Sequence, residues 1–209
     1  MNTQLLLLIG MLVLNVLISI WNCYAVGTVW KDVQAIGGWF ERAVLWSAVV
    51  QSGVGFSMPI LLGLGLGIVT YLTNGDQPAM SPEEGAQMMQ AVMSLWYVGV
   101  IFPILGTGFV IWAFSIREAY RRRDFTSFAV AGWNTYAQIH NTLSAVNNLG
   151  STFGNVVKYF ETSKGNKGLT VILIVVVSLL LGFMIAVSLV RFFARRADSR
   201  IEQYAESLK

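Results

Sequence analysis

Hydrophobic positions in this chain fall in long unbroken runs, not in the three-and-four spacing of a soluble helix. Residues 1–30, 43–75, 85–116 and 168–190 hold no Asp, Glu, Lys or Arg and are rich in Leu, Ile, Val, Phe and Gly. A run of about 18 or more apolar residues marks a transmembrane helix. Four spans are therefore predicted, at about 5–28, 44–73, 88–116 and 169–190. The second and third runs would be about 48 Å long as helices, beyond the ~30 Å hydrocarbon core, so they tilt, break or project past it. The first four residues carry no basic side chain, so the N-terminal run reads as a first span and not as a signal peptide.

The links carry their own signals. Gly37-Gly38 can bend the segment between the first two spans, and Asn74-Gly75-Asp76 reads as a turn. Ser81-Pro82-Glu83-Glu84 is a helix start: a capping hydroxyl, a proline at the first helical position and two acids at the positive end of the dipole. Residues 191–209 form a short basic tail, with Ile201, Tyr204 and Leu208 spaced as in a surface helix.

A fifth charge-free run, 125–157, breaks the pattern, being rich in Asn, Thr, Ser and Gln. Over residues 125–160 its apolar positions step by three and four through Tyr136, Ile139, Leu143, Val146, Gly150, Phe153, Val157 and Phe160, a heptad-type seam. Asn134, Gln138, Asn141, Asn148, Thr152 and Asn155 occupy the other face. Solvated helices normally carry Glu and Lys there. A neutral polar face points to burial against protein or to the wall of a wet cavity, and the seam Tyr136, Ile139, Leu143, Val146 and Phe153 is the expected oligomer contact. The helix propensity of these residues is low.

Charge adds topology. The chain has 209 residues, 55% hydrophobic and 12% charged, with a mean hydropathy of +0.61. A soluble domain carries about 25% charge, so a soluble globular enzyme is excluded. The net charge of +3 reflects arginines at membrane edges, and no nucleic-acid partner is implied. Arg121, Arg122 and Arg123 follow the third span, and Arg191, Arg195 and Arg196 follow the last. They read as topology and lipid anchors on the cytoplasmic side. Both groups can be inside only if residues 125–157 also cross, which gives five spans. Hydropathy gives four, with the polar helix on one side, and is taken as the stronger signal.

Little in the sequence suggests catalysis. Pro59 precedes Gly63 and Gly67, and Pro103 precedes Gly106 and Gly108, each proline near the middle of its span. These are candidate helix breaks, or kinks packed through small residues. Ser57 and the only histidine, His140, make a poor dyad because nothing orients the imidazole. One His and one Cys form no metal cluster, Cys23 has no disulfide partner, and Gly63-x-Gly65-x-Gly67 lacks the lysine of a phosphate loop. No cofactor is expected.

The sequence thus predicts an all-α integral membrane protein: a bundle of four or five transmembrane helices, a long polar-neutral amphipathic helix and a cytoplasmic basic tail. It would sit in a bacterial-type inner membrane among lipids and copies of itself or other subunits. The expected role is a non-catalytic subunit of an oligomeric complex, of the secretion, conjugation, viral-assembly or large-pore kind. A passive channel or small-solute transporter using the Pro/Gly breaks and an accessory subunit of a membrane enzyme are the alternatives.

Overall fold

The computed structural model describes residues 3–74, 79–163 and 166–207, and its regular elements are all helices. They are α1 (Thr3–Ile36), α2 (Trp39–Thr73), α3 (Pro82–Arg122), α4 (Phe125–Thr162) and α5 (Lys167–Ser207). Four of them, all but α4, are long and apolar enough to cross a membrane, which marks the chain as a membrane protein.

Consecutive helices run antiparallel. Arg117 of α3 pairs with Glu41 of α2 at 2.7 Å, Gln51 of α2 donates to Thr107 of α3 at 3.3 Å, and Trp96 of α3 donates to Ser57 of α2 at 2.8 Å. The bundle is layered. α1, α2 and α5 enclose one apolar cluster that includes Cys23, Val49, Phe56 and Ala186. α2, α3 and α5 enclose a second, around Leu61, Met88, Val92 and Val171. α4 is laid along α3 and, among the described residues, reaches the second cluster only through Tyr159.

Two glycines let α2 and α5 touch backbone to backbone between these clusters. A Cβ on Gly182 would collide with the Gly53 carbonyl oxygen and come within 2.7 Å of the Ser57 amide nitrogen. Without a hydrophobic drive between helices in lipid, such close approach supplies the packing contact.

The helices are longer than the hydropathy runs. α1 continues through Lys31 and Asp32 and stops at Ile36, where Gly37 and Gly38 end it. α5 continues unbroken through the arginines to Ser207, where the sequence suggested a separate surface helix. No Gly or Pro interrupts residues 183–207, so nothing stops propagation. Of the predicted turn after α2, Asn74 caps the helix through its N–H to the Thr70 carbonyl, while Gly75 and Asp76 lie outside the described residues.

The expected start of α3 forms as a capping box. Ser81 Oγ accepts from the Glu84 N–H at 3.2 Å, and Glu84 Oε2 accepts from the Ser81 N–H at 2.9 Å. At the other end Arg123 adopts a left-handed conformation (φ 55°) and turns the chain into α4. Asp124 then caps α4, its carboxylate accepting from the Ser127 N–H at 2.8 Å and the Ser127 hydroxyl at 2.9 Å. These two bonds, aided by Arg122, hold the Asp124 carboxyl below its ordinary value.

A depressed carboxyl pKa stabilises the fold fully above the unfolded value, about 3.9, and that contribution fades as pH falls through the folded value. Protection of the Ser127 amide from hydrogen exchange, corrected for the intrinsic rate, is therefore expected to fall on acidification below about pH 4. Protection that stays constant through that range would contradict this role for Asp124.

Candidate functional site

α4 is the unusual element, and its two seams explain how it sits. Residues Ala131, Thr135, Gln138, Thr142, Ala145, Leu149, Thr152 and Val156 alternate by four and three, and each is buried or half-buried. This small and polar seam faces α3. Trp112 donates to Thr135 at 2.9 Å, Gln138 Nε2 donates to the Leu105 carbonyl at 3.3 Å, and Tyr97 donates to the Ser144 carbonyl at 3.4 Å. Gly108 makes room for Gln138, whose Oε1 occupies the place a Cβ would take. The contacts ascend α4 as they descend α3, so the two helices share the same height through the bundle.

The apolar seam anticipated from the sequence points elsewhere. Tyr136, Ile139, Leu143, Val146 and Phe153 are all exposed, Val146 to 75%. They flank the seam that packs, and Ile139 and Leu143 edge a groove of about 340 Å³ whose floor is Thr135, Gln138 and Thr142. α4 thus packs its less hydrophobic face against its own chain.

A third stripe completes the helix. Asn134, Asn141, Asn148 and Asn155 recur every seven residues and so stack along one flank of α4. Asn148 donates within its own helix to Ser144. Among the described residues, the Asn134, Asn141 and Asn155 side chains are half-buried or exposed and make no hydrogen bond.

α2 and α3 run as continuous helices through Pro59 and Pro103, so neither is broken. The carbonyl of Gly55, which Pro59 leaves without its helical donor, is approached by Asn15 Nδ2 of α1 at 3.5 Å. Thr107 Oγ1 bonds the Pro103 carbonyl at 2.6 Å. A Cβ on Gly63, Gly67 or Gly106 would meet nothing within 4 Å, so these three take no part in packing among the described residues. Gly65 and Gly108 do, against Met89 and Gln138. Among the described residues the close pair is Gly53 with Gly182.

Ser57 is fully buried, accepts from Trp96 and donates to the Val54 carbonyl at 2.7 Å. His140 is exposed on α4 and stacks on Tyr136 with centroids 6.0 Å apart. The two are not assembled into a dyad. Among the described residues no group of three His, Cys, Asp or Glu side chains could hold a metal ion.

The antiparallel order gathers both arginine groups at one end of the bundle. Arg122 bonds Glu118 at 3.0 Å and Arg121 lies 4.0 Å from it. Arg123 sits over the Tyr120 ring. Arg117 pairs with Glu41 and covers the Phe40 and Phe114 rings at 5.0 and 5.4 Å. Arg191 and Arg195 edge a separate cleft, and Arg196 is exposed. At the opposite end Glu84 pairs with Lys167 at 2.9 Å.

No family model, curated protein or solved structure matches this chain. The functional reading rests on geometry alone.

Proposed function

We propose that the chain is a five-pass, non-catalytic subunit of an oligomeric membrane complex, with α4 as the helix that meets its neighbours. The asparagine stripe carries the reading. α4 stands at the height of the apolar spans, so its flanks face the bilayer unless another subunit covers them. An amide in an apolar medium without a hydrogen bond costs about 2–7 kcal/mol. Asn134 and Asn141 have no partner within the described residues, and lipid offers none. A carboxamide both donates and accepts, so the same stripe on a second copy is a suitable partner. The exposed Ile139 and Leu143 beside their groove supply knobs and a hole for the same contact.

Both arginine groups at one end support a fifth crossing. With α4 spanning, the positive-inside rule is met at once by Arg121, Arg122 and Arg123 and by Arg191, Arg195 and Arg196. The C-terminus is then cytoplasmic and the N-terminus outside. Continuous helices at Pro59 and Pro103 lend no support to a channel built on broken segments.

Mass measurement of the full chain in mild detergent tests the proposal. A multimer is expected, and Asn134→Leu with Asn141→Leu is expected to shift it toward monomer by tenfold or more in dissociation constant, on the order of 1 kcal/mol for each intramembrane hydrogen bond lost. A monodisperse wild-type monomer would sink it.

A further inference from the structure

At the arginine-rich end, α1, α2 and α5 leave a cleft of about 330 Å³ between them. Its wall is apolar, formed by Val49, Val187, Val190 and Ala194. Trp30 and Trp46 close one side, edge to face at 5.4 Å. Neither indole N–H has a hydrogen-bond partner among the described residues. The rim is charged: Lys31, Arg191, Arg195 and Asp198. Lys31 and Asp198 pair with each other at 2.5 Å and so largely cancel. Arg191 and Arg195, one helical turn apart on α5, have no ion-pair partner among the described residues. They contrast with Arg117, Arg121 and Arg122, which share Glu41 and Glu118.

We infer that this cleft binds one anionic phospholipid, its phosphate between Arg191 and Arg195 and an acyl chain against Val49, Val187 and Val190. The charge selects the headgroup, because two guanidiniums with no acid paired to them among the described residues offer planar donors to phosphate oxygens. The apolar wall selects a lipid over a soluble anion. The tryptophans suit this depth, since indoles favour the headgroup level and can donate to phosphate or ester oxygens. Basic pockets between transmembrane helices on the cytoplasmic side take such headgroups. The site is independent of the α4 interface.

The test is native mass spectrometry of the full chain, delipidated and then titrated with phosphatidylglycerol or with phosphatidylcholine. Phosphatidylglycerol is expected to be retained one per chain and phosphatidylcholine not. The double substitution Arg191→Gln with Arg195→Gln is expected to weaken retention about tenfold or more. Arg121→Gln with Arg122→Gln, which removes the same formal charge from the same end, should leave it unchanged. Ala194→Phe, which fills the cleft without touching charge, should also reduce it. Unchanged far-ultraviolet circular dichroism and elution volume qualify each variant, and either cleft variant suffices on its own. Equal retention of the two lipids, equal loss in both arginine pairs, or displacement of the lipid by millimolar inorganic phosphate would each overturn the assignment.

Discussion

Cysteines placed at the two ends of α4 should be labelled from opposite sides of the membrane. In a Cys23→Ala background, Phe128→Cys is expected to react with an impermeant thiol reagent only from the side that holds the C-terminus. Ser163→Cys is expected to react only from the other side. Phe128 lies just inside the α4 start and Ser163 caps its end. The intervening helix is about 52 Å long at 1.5 Å per residue, which exceeds the ~30 Å hydrocarbon core. The hydrogen bonds from Trp112, Gln138 and Tyr97 tie the middle of α4 antiparallel along α3, so the proposed fifth pass follows if α3 crosses. The expected difference is all-or-none. Labelling of both positions from the same side would remove the fifth pass and leave α4 as a surface helix.

Gly182→Val is expected to have the largest effect on stability of any single apolar substitution in the bundle. The atoms in its way are backbone: the Gly53 carbonyl oxygen, the Ser57 nitrogen at 2.7 Å and the Ser57 Cα at 2.9 Å. No side chain can rotate aside, so α5 as a whole must move off α2 and loosen both clusters that the two helices share. Overpacking of this kind costs about 1–3 kcal/mol, occasionally more. A lowered midpoint of thermal unfolding in detergent would report it. Gly63→Val makes the control, since it faces open space and should change stability by no more than about 0.5 kcal/mol. The reverse order of effects would show that α2 packs through Gly63 after all.

That contrast also shows what the sequence made legible. The four apolar runs became helices, and the Ser81 capping box formed where local chemistry required it, because both depend on residues close in the chain. Gly63 and Gly67 form a familiar spacing, yet Gly53 and Gly182 make the contact. A lone glycine such as Gly182, in an aliphatic stretch, reveals nothing until its partner helix is in place. α4 shows the deeper difficulty. Periodicity singled out Tyr136, Ile139, Leu143, Val146 and Phe153 as a contact between subunits, and in the single chain that stripe is exposed. In a membrane bundle lipid accepts such side chains, and close packing and hydrogen bonds decide the inner face. Ala131, Thr135, Gln138 and Ala145 therefore turn to α3, and a hydrophobicity pattern cannot rank them.

The long contact from Asn15 to the Gly55 carbonyl bears on how the chain enters the bilayer. Pro59 leaves that carbonyl without its helical donor, and Asn15 brings a carboxamide into the apolar stretch 5–18 of the first helix. Insertion of the first two helices as a hairpin would let the carboxamide of the first meet the carbonyl that the proline of the second leaves open.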